Sequence, residues 1–97
     1  MLFTTTDFIQ GKTIVDYYGM VSGTASLNVS MALTQKGAQK AIDKFVTEAE
    51  KMAFSIMEKK AKALGANAVI AVRCDFEPTA NSTRTLLFAS GTAVKIE

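Results

Sequence analysis

Two periodicities divide the chain. Between Ala38 and Leu64 apolar residues recur at helical spacing, and Ala38, Ile42, Phe45, Val46, Ala49, Met52, Ala53, Ile56, Met57, Ala63 and Leu64 form one broad stripe. The pattern predicts a helix roughly 40 Å long at 1.5 Å per residue. Its end is well marked. Lys59, Lys60 and Lys62 complement the negative pole of the helix, Glu58 and Lys62 make a favourable i,i+4 pair, and Gly65 can adopt the left-handed conformation that stops it.

On either side the period falls to two. A short apolar start, Leu2 to Thr6, leads through the turn-like Gln10-Gly11-Lys12 into a long strand from Thr13 to Ala25. Two further strands, Ala68 to Glu77 and Thr83 to Ile96, are joined by a polar turn at Pro78 to Ser82 and read as a hairpin. Residues 27–37 stay open between loop and strand, because Val29, Met31 and Leu33 alternate while Asn28, Ser30, Thr34 and Gly37 suggest a turn. The order β-β-α-β-β predicts a single α+β domain over residues 1–97, with one long amphipathic helix on a small antiparallel or mixed sheet.

The strand from Thr13 to Ala25 is apolar on both faces, with Val15, Tyr17 and Val21 on one and Ile14, Tyr18 and Met20 on the other. Its Gly19 and Gly23 mark bulges or close backbone approaches, and Gly91 interrupts the last strand. A helix of roughly 40 Å also exceeds the ~25 Å diameter of a compact domain this size. Both features predict a homo-oligomer with closed rotational symmetry, in which neighbouring subunits complete the core. On helical angles Phe54 lies away from the stripe and is expected to meet another subunit, Ile56 faces the protomer's own core, and Lys60 falls within the stripe and snorkels out.

Composition narrows the class. The 97 residues are 48% hydrophobic, with one Pro and no Trp, too apolar for a disordered segment. A balance of 11 Lys+Arg against 9 Asp+Glu, scattered and mostly lysine among the bases, gives no basic stripe for nucleic acid. Cys74 is the single cysteine, which excludes an intrachain disulfide and points to the cytoplasm. Met1 to Gln10 has neither a basic nor an apolar signal region, and no stretch approaches the ~18 apolar residues of a membrane span, so neither export nor membrane insertion is expected.

The chemistry available is sparse. With no histidine there is no imidazole base, no Ser/His or Cys/His dyad and no histidine-based zinc site, and phosphate-binding glycine motifs are absent. Cys74, on a strand face with Val72 and Phe76, reads as a buried structural thiol. Asp16 interrupts an apolar strand just before Tyr17 and Tyr18 and is the best candidate for ligand binding, or for acid and base work with a phenol. Asp75 and Glu77 alternate onto one strand face, where symmetry could repeat them into a carboxylate ring for hard cations. No cofactor and no protein-built metal site is expected.

Several segments together resemble the uncharacterised bacterial YbjQ-like family, whose domain carries a heavy-metal-binding label. They are Phe3-Thr4-Thr5, Gly11 with Thr13-Ile14-Val15-Asp16-Tyr17, Gly19-Met20-Val21-Ser22-Gly23, Ala63-Leu64-Gly65-Ala66-Asn67-Ala68-Val69 and Ser90-Gly91-Thr92-Ala93-Val94. The resemblance implies a protomer assembled into a ring, a pentamer, with short strands helping to join subunits. Two features depart from the family pattern. Leu33-Thr34-Gln35-Lys36-Gly37-Ala38 stands where many members have a Gly-Gly-Arg stretch, and Asn67 replaces a frequent aspartate. The label implies no ligand residues here, since soft metals want several thiolates or imidazoles. The functional expectation is a non-enzymatic ring that binds a small ligand or ion at subunit interfaces. The alternatives are a subunit-interface enzyme using Asp16 with Tyr17 or Tyr18, and a protein-interaction adaptor.

Overall fold

The computed structural model describes residues 1–28, 38–78 and 84–97. Its elements are β1 (Leu2–Phe3), β2 (Ile14–Asn28), α1 (Ala38–Leu64), β3 (Ala68–Pro78) and β4 (Arg84–Ile96). They form one mixed four-stranded sheet in the order β1-β3-β4-β2 with α1 across one face. The β3–β4 hairpin and the β2–β4 pair are antiparallel, whereas β1 runs parallel to β3. The expected element order holds, and the mixed alternative is the one realised. Residues 29–37 and most of the expected turn at 78–82 lie outside the described residues.

The helix stops as its sequence requires. Gly65 takes φ 93°, its N–H donates to the Lys62 carbonyl at 3.0 Å, and the Ala66 N–H reaches the Ala61 carbonyl at 3.0 Å. This paired closure satisfies carbonyls that would otherwise be orphaned at the helix end. Asn67 then does what the sequence did not disclose. Its backbone N–H donates to Val94, its amide Nδ2 donates to the Ile96 carbonyl at 3.0 Å, and its Oδ1 accepts from the Ile96 N–H at 2.8 Å. The side chain thus acts as a short strand segment that locks β4 to the start of β3. An aspartate could accept from Ile96 but could not donate to it.

The core between helix and sheet is a seam of small residues. Ala49, Ala53, Met57 and Ala61, spaced four apart on α1, are buried against Val21, Gly23, Ala25, Leu87, Ala89 and Ala93. The approach is closest at Gly23, where an added Cβ would overlap the Ala53 carbonyl and sit 2.9 Å from its carbon. At Gly91 a Cβ would come within 2.6 Å of Val69 Cγ1. The expected close approach at Gly23 is therefore present, and Gly19, with φ 103°, sits at one of two register shifts in β2.

Those register shifts overturn the expected division of β2 into two apolar faces. The shifts fall between Ile14 and Asp16 and between Tyr17 and Gly19, so alternation does not run through the strand. Val15, Tyr17 and Met20 are exposed, Val21 is buried under the helix, and Tyr18 packs against the helix-side core. A second, smaller cluster on the opposite sheet face joins Ala68, Ile70 and Val94 to Ile9, Ile14 and Ile96.

The two flanks of α1 also differ from the sequence reading. Phe54 is half-buried in the protomer, its ring stacked on Phe3 with centroids 5.4 Å apart and an interplanar angle of 15°. It meets β1 of its own chain, so the expected subunit contact at this residue is not needed to cover it. Ile56 is 37% exposed and Met52 61%, so neither occupies the core. The fully packed row is Ala49, Ala53, Met57 and Ala61, with Phe45, Val46 and Phe54 packed against its side, and the rest of the broad stripe spills past it. Lys60 leaves the stripe as expected and donates to the Ser22 carbonyl at 2.9 Å.

The β1 segment is tied to the rest by backbone bonds. Thr4 N–H donates to Val69, while the Thr4 and Thr6 carbonyls accept from Val72 and Ala71. Ala71 lies at a break in the β3–β4 register with φ 52°, a left-handed conformation costly for a residue with a Cβ. At the helix, Glu58 accepts from the terminal amino group at 3.2 Å and stands 3.5 Å from Lys62 Nζ. The amino terminus first, and Lys62 second, hold its carboxyl below the usual carboxylate range.

Two predictions follow from this packing. Gly23→Ala should cost about 1–3 kcal/mol in denaturant melts, because the obstacle is helix backbone and cannot rotate away. Met57→Asp should abolish folding by circular dichroism, a loss of more than about 4 kcal/mol, whereas Ile56→Asp should retain the helical signal. Equal damage from the last two would show that the buried row is misplaced.

Candidate functional site

The sequence candidates fall at two separate places on the sheet. Asp16 and Tyr17 lie where β2 shifts register against Lys95 and Val94, and both are exposed. The Asp16 carboxylate accepts from the N–H of Tyr17 at 2.9 Å, which makes it a local backbone cap. Tyr18 turns the other way and packs beside Gly65, where a Cβ would stand 3.7 Å from its hydroxyl. The bulge thus separates two tyrosines that are neighbours in sequence. An acid and base pair would need a desolvated Asp16 within reach of a phenol, and an exposed Asp16 bonded to backbone does not supply it.

Asp75 and Glu77 do share a face, as their spacing requires. Their pairing partners across the hairpin are Phe88 and Leu86, and Arg73 lies on the same side opposite Ser90. Directly paired residues project to the same face. This is the sheet face away from α1, and beyond the second cluster no helix covers it among the described residues. All three charged residues are exposed.

Cys74 departs from expectation. It is paired with Ala89 and so lies on the helix side of the sheet, yet it is exposed. The reason is lateral: α1 packs over β2 and β4 and leaves the outer half of β3 uncovered, with Phe76 also exposed there. Partial burial, with the nearby charges of Glu50 and Asp75, pushes the thiol up from its ordinary value. That disfavours the thiolate, the form in which a cysteine acts as a nucleophile.

The sequence reading missed two concave regions, both built by the first residues of the chain. One, of about 330 Å³, is lined by Leu2, Phe3, Thr4, Thr6, Phe8, Ile9 and Gln10. The other, of about 170 Å³, lies between the Phe3–Phe54 stack and Val72, with Thr4 and Thr5 at its rim. The threonine hydroxyls satisfy one another locally: Thr4 and Thr6 Oγ1 lie 2.8 Å apart, and Thr6 Oγ1 donates to the Phe8 carbonyl. The first clue in sequence was the run of threonines after Phe3, but its meaning depends on β1 docking against β3.

Comparison with known proteins adds the family context. A family model described as "Putative heavy-metal-binding" matches residues 1–97. A "UPF0145 protein" of Anoxybacillus flavithermus is 38% identical over 105 residues, covering 100% of this chain and 99% of that protein. A crystal structure of a protein with unknown function from the DUF74 family of Pediococcus pentosaceus matches with a TM-score of 0.64 at 22% identity, covering 100% of this chain and 98% of that one. At that identity the last likeness carries the fold alone.

The donor set does not fit the metal in the family's description. The chain has no histidine and one cysteine. Among the described residues no group of three or more His, Cys, Asp or Glu is placed to hold a metal ion. A soft cation would find in one protomer a single thiol and no imidazole, whereas such a cation wants several of these donors. No helix among the described residues is long and apolar enough to cross a membrane. With a family model matched over its whole length and a full-length relative at 38% identity, the chain belongs to the YbjQ-like family of uncharacterised domains.

Proposed function

We propose that this protein is a non-enzymatic, cytoplasmic homo-oligomer, a ring of the pentameric kind implied by its family resemblance, that binds a small ligand or ion where subunits meet. The observation that carries the reading is the apolar surface left over by a small-residue core. Met20 is 77% exposed, and Met52, Leu64 and Phe76 are also open to solvent. The side chains fully buried in the protomer are few and mostly small. Burying a large apolar side chain is worth about 1.5–3 kcal/mol, so covering several at an interface is a strong drive to associate.

The dimensions point the same way. The protomer measures 49 × 25 × 18 Å with a radius of gyration of 15.6 Å, against the ~13 Å of a compact domain this size. An elongated, thin protomer has a high surface-to-core ratio, and association lowers it. For the ligand, the support is chemical. Asp75 and Glu77 present two carboxylates on one exposed face, and rotational copies would multiply them into an oxygen-rich set suited to Ca²⁺ or Mg²⁺.

Size-exclusion chromatography with light scattering should show a closed oligomer at micromolar concentration. A folded, strictly monomeric protein would sink the ring. For metals, the reduced protein should retain no stoichiometric zinc or copper after dialysis; a soft metal retained one per chain and lost on Cys74→Ser would show the opposite. Calorimetry should place any hard-cation binding in the weak range, about 10⁻⁴–10⁻³ M, and Asp75→Asn with Glu77→Gln should remove it. Binding that survives both changes would move the ligand site elsewhere.

A further inference from the structure

The segment from Phe3 to Ile9 hooks round the outer side of β3 and is fixed at both ends. Phe3 stacks on Phe54 in the helix-side core, whereas Ile9 packs with the Ala68, Ile70 and Val94 cluster on the opposite face of the sheet. Between them the Thr4 N–H donates to Val69, and the Thr4 and Thr6 carbonyls accept from Val72 at 2.9 Å and from Ala71 at 2.7 Å. Ala71 makes its bond at φ 52°, a conformation that a residue with a Cβ keeps only where its surroundings impose it.

This anchored hook nevertheless leaves large apolar side chains open. Phe8 is 61% exposed and Leu2 46%, and both line the cavity of about 330 Å³ together with Phe3 and Ile9. A cavity of about 150 Å³ accommodates benzene, so this one has room for a fused two-ring molecule. None of its lining residues is charged. An ionised ligand would give up hydration there with no opposite charge to replace it.

The hydroxyls on the cavity wall decide which neutral polar group suits it. A threonine hydroxyl has one proton to give and two lone pairs to offer. Thr6 Oγ1 gives its proton to the Phe8 carbonyl, so in the 2.8 Å contact between the two hydroxyls Thr4 is the donor. Thr4 Oγ1 also accepts from the Thr6 N–H at 3.2 Å. Both protons are spent, and each oxygen keeps a lone pair. Gln10, the other polar side chain at the cavity, carries both a donor and an acceptor and does not oppose this bias.

We infer that this cavity binds a small neutral aromatic molecule carrying an N–H or O–H donor, of about the size of an indole, with its ring against Phe8 and Leu2 and its donor on the Thr4–Thr6 hydroxyl pair. Aromatic rings attract one another in offset or edge-to-face contact, and Phe8 supplies such a partner at the mouth of the cavity. The site is built by one protomer and goes beyond the interface ligand proposed above. It needs neither the oligomer nor the Asp75 and Glu77 carboxylates.

The absence of tryptophan makes the test direct, because no indole of the protein contributes to the emission of added indole. Titration of the full chain should show saturable one-to-one binding of indole, with a Kd of about 10⁻⁴–10⁻³ M. N-methylindole keeps the ring and loses the donor, and it should bind about three- to ten-fold more weakly. Phe8→Ala should weaken indole binding at least about ten-fold while the circular dichroism melt is unchanged. Thr6→Val should abolish the preference for indole over N-methylindole and leave the binding of N-methylindole in place. No saturation by millimolar indole would overturn the site, and equal affinity for the two indoles in the unaltered protein would overturn the donor contact. Indole binding that Phe8→Ala leaves unchanged would overturn the placement. Loss of the cavity by these tests leaves the homo-oligomer standing, and a monomer by light scattering leaves the cavity untouched.

Discussion

The packing of α1 against β2 at Gly23 is the constraint on which the rest of the protomer depends. A helix whose backbone carbonyl at Ala53 lies where a Cβ would stand is held closer to the sheet than ordinary side chains permit. The residues nearest that approach are mostly small: Ala49, Ala61, Ala25, Ala89 and Ala93 line it. Met57 on the helix and Leu87 on β4 are the large side chains fully buried in this seam. Close approach gives dense packing along a narrow line, and it leaves no depth in which to bury the wider parts of the helix stripe.

That narrowness explains what remains on the surface. Met52 and Ile56 are excluded from the core because the seam is full, and the outer half of β3 is uncovered because the helix sits over β2 and β4. Phe54, on the other flank, is rescued by a different device: β1 brings Phe3 beneath it. The first residues of the chain therefore supply one wall of the core, one strand of the sheet and the concave surfaces beside the Phe3–Phe54 stack. Among the described residues the two ends of the sheet finish unlike each other, because the covering segment lies at the β3 end.

The chemistry of the molecule follows from the same geometry. Among the described residues no polar or charged side chain is buried. A low-dielectric pocket that would tune a carboxylate for catalysis needs such burial. What the protomer offers instead is oxygen ligands on an open sheet face and apolar surface at its edges.

The sequence by itself determined the element order, the limits of the helix and the sharp stop at Gly65, because period, helix-end charges and glycine are local signals. It also determined that Asp75 and Glu77 share a face opposite to Cys74 and Phe76, since strand alternation is a local rule and β3 is regular there. Only the tertiary structure decided which apolar residues are inside. Hydrophobicity could not distinguish Ala53 and Met57 from Met52 and Ile56 on one broad stripe; the alanines at 49, 53 and 61, read against Gly23, carried that information. It likewise decided that β2 shifts register twice and parts Tyr17 from Tyr18, that Phe54 meets Phe3, and that Cys74 stays exposed. Each of these depends on where a distant strand or helix lies, and the sequence spacing along a single element does not encode that distance.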